Sequence, residues 1–439
     1  MATSESDSFF LDPKMIGKKG FFFYVMVCLA LMVLKHGVVV SGQEFVRVSG
    51  NRFMLNGRPF YSNGFNAYWM MDMAADPNER DRVTEAFQQA SSQGMYVVRT
   101  WAFADGGDEP LQISPGNYNE NMFRALDFVV SEAKRFGVYV ILSLVNNYEA
   151  YGGRKQYVQW ARDQGQYLNG DDDFYRNELV RSFYKSHVRA VLTRVNTITG
   201  VAYKDEPAIF AWELMNEPRC QSDLSGNTLQ NWISVMASHV KSIDSNHMLE
   251  VGLEGFYGES MQDRKQYNPG YEVGTDYITN NQVQGIDFAT IHAYPDQWMS
   301  GSDEQSQLNF LQRWLESHIQ DAGSVIGKPL FVTEFGRSSR LSGYNTGKRD
   351  NLYSSVYNTV YGCARSGGPC SGALFWQLLE EGMDNWDDGY EVVMSEEPST
   401  ANIIAQQSRQ ISSLNGASSL YARVQEMKRI MPNKPKLMN

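Results

Sequence analysis

The sequence is poor in the residues on which metal, redox and nucleotide chemistry depend. Its 439 residues include 4 cysteines and 6 histidines, and no histidines have the His-Glu-x-x-His spacing of zinc hydrolases. A Gly-x-Ser-x-Gly elbow, a Walker loop and a dinucleotide fingerprint are also missing. We therefore expect a protein that works without a metal ion and without a cofactor.

Positive charge is also scarce. Lys and Arg number 39 against 50 Asp and Glu, which gives a net charge of −11 with no basic block. This balance argues against nucleic acid as a partner and is compatible with a neutral polysaccharide. Asn-x-Ser/Thr is absent, so N-glycosylation is not expected.

An apolar run, residues 20–34, stands near the N-terminus after Lys14, Lys18 and Lys19. The run is short for a membrane span and typical of a signal peptide, with Ser41 and Gly42 as small residues at a cleavage site. We expect residues 1–42 to be a signal peptide and residues 43–439 to form a single catalytic domain. The protein would then be secreted to the extracellular space or cell wall, without a stable membrane partner. An uncleaved signal anchor is the alternative.

Secretion permits disulfides, and the mature chain retains Cys220, Cys363 and Cys370. Cys363 and Cys370 bracket a short Ser-Gly-Gly-Pro loop, which makes them the favoured pair and leaves Cys220 unpaired. Three buried thiols are the alternative.

Composition and pattern favour one large α/β domain. The chain is 42% hydrophobic and 13% aromatic, enough to bury the core of a barrel built as one domain. Strand-like apolar runs alternate with helical patterns, which predicts a (β/α)8 TIM barrel. Before them, residues 45–60 alternate around Gly and Asn turns and predict a β-hairpin closing the barrel bottom. The predicted barrel strands are Tyr61–Asn66, Tyr96–Trp101, Tyr139–Leu144, Ile209–Met215, Met248–Leu253, Phe288–His292, Leu330–Glu334 and Ala373–Gln377.

Two of these strands lead into carboxylates. The run from Ile209 continues to Asn216 and Glu217, and the run from Pro329 reaches Glu334. Carboxylates at the C-terminal mouth of a barrel, one as proton donor and one as nucleophile, are what retaining glycoside hydrolysis requires. The alternative is that each glutamate forms a structural ion pair with an arginine.

Other polar and aromatic residues fall at predicted strand ends. Arg99 can keep a carboxylate ionised and oriented, and Asn216 can hold a sugar 2-hydroxyl. His292, Tyr294 and Trp376 end the sixth and eighth strands. Since sugar faces stack on aromatic rings, the predicted sugar platforms are Trp69, Trp101 and Trp376. Taken singly, such an arginine is more often structural and such a tryptophan more often part of the core.

Several motifs resemble glycoside hydrolase family 5 and, more narrowly, the plant endo-β-1,4-mannanases. They are Phe65-Asn-Ala-Tyr-Trp69, Arg99-Thr-Trp-Ala-Phe103, Leu144-Val-Asn-Asn-Tyr148, Asn216-Glu-Pro-Arg-Cys220 and Thr333-Glu-Phe-Gly336, within a similarity from about Phe45 to Pro432. The resemblance implies that Glu217 is the acid/base and Glu334 the nucleophile, surrounded by the positions of Arg99, Asn216, His292, Tyr294 and Trp376. One departure is Asn146-Asn147-Tyr148, where many family members place a histidine.

The expected function is retaining endo-hydrolysis of β-1,4-mannosidic bonds in mannan, galactomannan and glucomannan, with transglycosylation as a possible side activity. A β-1,4-glucan hydrolase of the same fold and a non-catalytic polysaccharide-binding barrel remain alternatives. A retaining enzyme requires the carboxyl groups of Glu217 and Glu334 to lie roughly 5 to 5.5 Å apart. We also expect ionised Glu334 to raise the pKa of Glu217.

Overall fold

The computed structural model describes residues 44–415, and the predicted signal peptide and the last residues of the chain lie outside this range. Eight parallel strands alternate with helices, which confirms the TIM barrel prediction. In chain order the barrel strands are Gly64–Asn66, Val97–Trp101, Tyr139–Ser143, Ile209–Glu213, Met248–Glu250, Ala289–Ala293, Leu330–Phe335 and Cys370–Phe375. Every residue of these strands is buried, as continuous apolar runs predict for a sheet covered on both faces.

The barrel closes between its first and last strands. Gly64 pairs with Leu374 and Phe65 with Phe375, so the eighth strand lies beside the first. The fifth and sixth strands are the ends of the hydrogen-bonded ladder. Backbone bonds join them nonetheless, from the Asp287 amide to the Leu249 carbonyl at 2.8 Å and from the His292 amide to the Glu254 carbonyl at 2.9 Å. The C-terminal ends of all eight strands therefore surround one mouth.

All eight strands differ from the prediction at one or both ends, by one to three residues, and the first, fifth and eighth differ the most. The first strand begins at Gly64, not at Tyr61, because the side chain of Asn415 takes up the Tyr61 backbone, accepting from its amide at 2.7 Å and donating to its carbonyl at 2.9 Å. The eighth strand begins at Cys370 and ends at Phe375, so Trp376 follows it. Gly372 allows the close packing there, since a Cβ at this position would lie 1.8 Å from the Ser62 carbonyl oxygen.

A small antiparallel sheet covers the N-terminal end of the barrel. It consists of Arg47–Ser49, Arg52–Leu55 and Arg58–Pro59, so a short third strand extends the predicted hairpin. Phe53 is buried from this sheet against the rings of Phe210 at 5.1 Å and Phe288 at 5.0 Å, at the starts of the fourth and sixth strands. This apolar plug seals the bottom and leaves the opposite face open for chemistry.

The helices around the barrel are amphipathic and capped by local sequence. In the helix Glu120–Phe136, the Asn119 side chain accepts from the Asn121 amide at the N-terminus, and Gly137 ends the helix with a φ of 68°. Within residues 44–415, no helix combines the length and apolar content of a membrane span. The α-helices are Met70–Ala75, Arg80–Gln93, Glu120–Phe136, Gly153–Asp163, Glu178–Leu192, Asn227–Ile243, Tyr277–Gln282, Pro295–Trp298, Glu304–Asp321, Thr346–Arg365 and Pro398–Ser412.

Two short strand pairs lie outside the barrel and bottom sheet. Gln112–Ser114 pairs with Asn117–Tyr118 after the second barrel strand, and Leu378–Leu379 pairs with Val392–Val393 after the eighth. The second pair holds together the two ends of the loop between Leu379 and Val392, and part of this loop lies beside Trp376. Cys363 and Cys370 are joined by a disulfide between the helix Thr346–Arg365 and the start of the eighth strand, and Cys220 is a buried free thiol.

Candidate active site

The structure brings the two predicted glutamates together at the C-terminal mouth. Glu334 lies within the seventh strand, and Glu217 lies just beyond the fourth strand, which ends at Glu213. A carboxylate oxygen of Glu217 and one of Glu334 lie within 4.8 Å of each other. This closeness is compatible with the roughly 5 to 5.5 Å carboxyl separation of retaining glycosidases.

Each oxygen of the Glu334 carboxylate receives its own hydrogen-bond donor. Arg99 donates to Oε1 at 2.6 Å, and the Tyr294 hydroxyl donates to Oε2 at 2.7 Å. His292 Nδ1 lies 3.5 Å from the same Oε2. The carboxylate is 4% exposed, so these contacts fix its orientation while leaving it open to one side of the mouth.

Arg99 holds Glu334 through a guanidinium whose five N–H groups are all used. Besides Glu334, it donates twice to Glu213, at 2.6 and 2.7 Å, once to Asn216 at 2.7 Å and once to Asn66 at 3.1 Å. Arg99 is fully buried, and its burial is compensated by these paired charges. The predicted contact between Arg99 and the nucleophile position is therefore present.

Glu217 is held by a different set of donors. Its Oε1 lies 2.6 Å from His292 Nδ1, and its Oε2 accepts from the Tyr148 hydroxyl at 2.8 Å. The residue has a φ of 48°, in the left-handed region, where a non-glycine residue is uncommon. The turn is secured by a 3.0 Å bond from the Glu217 amide to the Gly252 carbonyl, and it directs the side chain across the mouth.

The pKa of Glu217 differs in direction from our expectation. Burial raises it, but the hydrogen bond and charge of His292, helped by Arg219 and Tyr148, outweigh burial and lower the pKa of Glu217 to about 2. The expectation that Glu334 raises this pKa is wrong, since the pKa of Glu217 is lowered and Glu334 is not among its main causes. Burial lowers the pKa of His292, yet Glu334 and Glu217 together raise it above its ordinary value. These opposite directions favour the proton on His292, whose Nδ1 lies 2.6 Å from Glu217 Oε1.

The pKa of Glu334 is shifted in the opposite direction, above its ordinary value. Burial raises its pKa, and the opposing charges of His292 and Arg99 do not fully cancel that effect. Its ionised form therefore depends on the donors around it, since each hydrogen bond to the carboxylate favours the charged state.

Aromatic rings form one wall of the mouth. Trp376 stacks on Tyr68 with 5.7 Å between centroids and lies 5.9 Å from Trp101. Trp101 is 4% exposed and packs against the Arg99 guanidinium at 4.8 Å. Both rings line the groove, but Phe103 stacks on Trp101 at 5.2 Å, so the half-buried Trp376 is the ring that a sugar face can meet.

The prediction of a sugar platform at Trp69 is wrong. Trp69 is 0% exposed and belongs to the core between barrel and helices. Its indole Nε1 donates to the Leu378 carbonyl at 2.8 Å, which fixes the segment following Trp376. It therefore supports the aromatic wall from behind without reaching a sugar.

Sequence reasoning did not assign roles to several residues that the structure places in the site. Tyr148 reaches Glu217 from the third-strand loop, and its position directly after the two asparagines was the available signal. Arg219 forms a bidentate pair with Glu254 at 2.7 and 2.6 Å on the same side of the groove. Asp388 accepts from the Trp376 indole at 2.6 Å, so this aspartate fixes the orientation of the Trp376 ring.

Among residues 44–415, one cluster has ligand atoms close enough to hold a metal ion: Glu217, His292 and Glu334. Tyr148, Tyr294 and Arg99 already donate to these carboxylates. Because a guanidinium beside Glu334 repels a cation, the donor set suits a neutral ligand with hydroxyl groups better than a metal ion.

The groove around the glutamates is open, with a volume of about 730 Å³. Its walls combine the rings with polar groups from loops of most of the barrel strands, which is the composition of an oligosaccharide site. Its lining includes Tyr68, Trp101, Tyr148, Tyr151, Glu217, Arg219, Glu254, Tyr271, Tyr294, Trp298, Glu334, Trp376, Asp388 and Tyr390.

Comparisons with known proteins agree with this geometry. A family model described as GH family 5 beta-mannosidase-like matches residues 43–381. The chain is 59% identical to mannan endo-1,4-beta-mannosidase 1 of Oryza sativa subsp. japonica, across 90% of this chain and 93% of that protein. It is 52% identical to mannan endo-1,4-beta-mannosidase 7 of Arabidopsis thaliana, across 93% and 94%. The structure of an endo-beta-1,4-mannanase from Thermotoga petrophila matches with a TM-score of 0.70 and 31% identity, over 83% of this chain and 79% of that one.

Proposed function

The chain belongs to the family of GH family 5 beta-mannosidase-like proteins, and on that basis we propose that it is a retaining endo-β-1,4-mannanase. Its substrates are the β-1,4-linked backbones of mannan, galactomannan and glucomannan. The observation that carries this proposal is the pair Glu217, just after the fourth strand, and Glu334, on the seventh, with carboxylate oxygens within 4.8 Å in an open groove. Relatives at 50 to 59% identity that are named mannan endo-1,4-beta-mannosidases support the choice of mannan.

In the first step, Glu334 attacks the anomeric carbon and forms a covalent glycosyl-enzyme. Glu217 gives a proton to the departing glycosidic oxygen, so the leaving chain ends in a neutral hydroxyl. The proton that His292 holds in the free protein must be on Glu217 at that moment, and their direct hydrogen bond provides the route. Substrate entry favours this transfer, because it removes water from around the ionised Glu217.

In the second step, Glu217 takes a proton from an incoming water molecule, which attacks the same anomeric carbon. The bond to Glu334 breaks, and the departing carboxylate is stabilised by Arg99 and Tyr294. Each step inverts the configuration at the anomeric carbon, so the product has the same configuration as the substrate. Asn216, oriented by Arg99 and by its 3.0 Å bond to Asn146, is positioned to hold the sugar 2-hydroxyl.

Release of reducing sugar should be measured in parallel on mannan, glucomannan, carboxymethylcellulose and barley glucan. The proposal predicts rapid release from the first two substrates and little from the others. Preference for carboxymethylcellulose or barley glucan would establish the β-glucanase alternative instead. Binding without release from any of them would establish a non-catalytic barrel.

We also propose that the protein is secreted after cleavage before Gln43. The apolar run at residues 20–34 supports this, as does the Cys363–Cys370 disulfide, since such bonds persist in oxidising compartments. N-terminal sequencing of protein from the medium of expressing eukaryotic cells should begin at Gln43. An intact N-terminus recovered in the membrane fraction would show a signal anchor.

A further inference from the structure

Beneath the catalytic mouth, two glutamates from neighbouring strands face each other inside the barrel. Glu213 ends the fourth strand and Glu250 ends the fifth, and they are direct partners in the parallel ladder. Both are 0% exposed. Their carboxyl groups lie close enough to share one hydrogen, although two ionised carboxylates have only acceptors to offer.

Glu213 is hydrogen-bonded to a positively charged group, whereas the hydrogen-bond donors to Glu250 are neutral. Both oxygens of Glu213 accept from Arg99, at 2.6 and 2.7 Å. Glu250 Oε2 accepts from the Gly252 amide and, at 3.4 Å, from the Thr290 hydroxyl. Its other oxygen, Oε1, is enclosed and meets no N–H or hydroxyl donor within the described part of the chain.

A buried acceptor without a donor is costly, and a carboxylic acid removes that cost by bearing its own hydrogen. If Glu250 is protonated, it donates to Glu213, and both glutamates have complete hydrogen-bond sets. The pKa directions agree, since burial and Glu213 raise the pKa of Glu250 well above its ordinary value. Burial also opposes ionisation of Glu213, but Arg99 outweighs it and lowers that pKa.

We propose that Glu213 and Glu250 form an acid–carboxylate pair that shares one proton and positions Arg99 against Glu334 and Asn216. In this pair Glu213 carries the charge, and Glu250 is a neutral donor that holds Glu213 in place. Glu213 and Glu250 touch no substrate, so both are positioning residues for the nucleophile. The other titratable groups facing the pair are Arg99 and the buried Tyr184 phenol, whose pKa burial and Glu213 raise.

Arg99 explains why this pair matters for catalysis. Two of its five N–H groups are committed to Glu213, and the rest reach Glu334, Asn216 and Asn66. The bidentate contact defines the plane of the guanidinium, because two parallel bonds allow one orientation only. A change in the orientation of the guanidinium therefore displaces the Glu334 carboxylate and the Asn216 amide together.

The protonation of Glu250 can be observed directly by infrared difference spectroscopy of the full-length mature protein. The wild-type spectrum minus that of Glu250→Gln, taken near neutral pH in D2O, should show the carbonyl stretch of a protonated carboxylic acid. Signals from the other carboxyl groups cancel in the difference. A difference spectrum that shows only carboxylate bands would overturn the proposal, whatever the activity of the protein.

The kinetic test rests on the proposed function and compares three variants. Glu250→Gln keeps a neutral donor for Glu213 and an acceptor for Gly252, so kcat on mannohexaose should stay within about fivefold of wild type. Glu250→Met is similar in size but has no donor, and it should lower kcat further with little change in KM. Glu213→Gln turns an N–H toward Arg99 and should lower kcat by about a hundredfold or more, the usual effect of displacing a reacting group by about 1 Å.

If Glu250→Gln and Glu250→Met lower kcat equally, Glu250 is not a hydrogen-bond donor to Glu213. If Glu250→Gln lowers kcat as much as Glu213→Gln does, Glu250 is charged and the proposal is refuted. Circular dichroism checks that each variant is folded. If Glu213→Gln does not fold, the comparison of the two Glu250 variants and the infrared spectrum still decide the question. If the wild type itself fails to cleave mannan, the proposed function fails, and the infrared result on the buried pair stands by itself.

Discussion

Tyr294→Phe removes a single hydroxyl from the nucleophile and leaves the ring. The hydroxyl donates to Glu334 Oε2 at 2.7 Å, and both residues are buried, with 6% and 4% exposure. A hydrogen bond to a buried charged group contributes about 2 kcal/mol, which corresponds to about thirtyfold in rate. The rate falls mainly in the second step, hydrolysis of the glycosyl-enzyme, because Glu334 leaves there as a carboxylate that its hydrogen-bond donors stabilise.

The assay is stopped-flow hydrolysis of an aryl β-mannobioside, whose good leaving group makes the second step rate-limiting. Tyr294→Phe should lower kcat by about tenfold to thirtyfold, lower kcat/KM less, and show a burst of aryl alcohol equal to the enzyme concentration. The hydrogen bond from Tyr294 favours ionised Glu334, so its removal raises that pKa further. The acid limb of kcat/KM should therefore move to higher pH.

Tyr390→Phe is the matched control. Its ring packs on Tyr294 with 5.3 Å between centroids, but its hydroxyl donates to Asp296 and not to Glu334. It should leave the acid limb in place and show no enhanced burst. If both variants behave alike, or if Tyr294→Phe lowers kcat/KM more than kcat without a burst, the role given to the Tyr294 hydroxyl is incorrect.

Three further predictions concern other parts of the structure. The pKa of His292 is raised, and its protonated form supplies the proton to Glu217. Wild-type kcat/KM should therefore be lost as pH rises through a midpoint above 6.5, the ordinary pKa of histidine. A midpoint below 6.5 would contradict this prediction. Trp376→Ala should lower kcat/KM on mannohexaose by about tenfold or more, whereas Trp69→Phe should cost about 1 kcal/mol of stability in denaturant unfolding and leave KM near wild type. The double variant Cys363→Ala/Cys370→Ala should lose about 2 kcal/mol of unfolding free energy with kcat unchanged, and a loss of kcat would tie the disulfide to the mouth.

The barrel could be predicted because each strand is a continuous buried run. Ile209–Glu213 and Leu330–Phe335 have no exposed residue, and the polar residues that follow or end such runs must lie at one mouth. Strand limits were less accurate. The start of the first strand depends on Asn415, which is distant in sequence, and no local pattern near Tyr61 contains that contact.

Site residues on strands were easier to predict than those whose role depends on side-chain direction. Trp69 and Trp376 look alike in sequence, yet one ring is enclosed by helices and the other lies in the groove. The pairing of Glu213 with Glu250 arises from the ladder register, which the sequence of either strand alone does not contain. The raised pKa of His292 depends on its distances to Glu217 and Glu334, which the sequence does not contain.

The central claim is that Glu334 is the nucleophile and Glu217 the acid/base of a double displacement, and azide rescue tests it most directly. Glu217→Ala should form the covalent intermediate from an aryl β-mannobioside, whose leaving group needs no proton, and then stall. Added azide should restore turnover and give the β-mannobiosyl azide, while Glu334→Ala should stay inactive. Recovery of the α-mannobiosyl azide from Glu334→Ala would contradict the account and exchange the two roles.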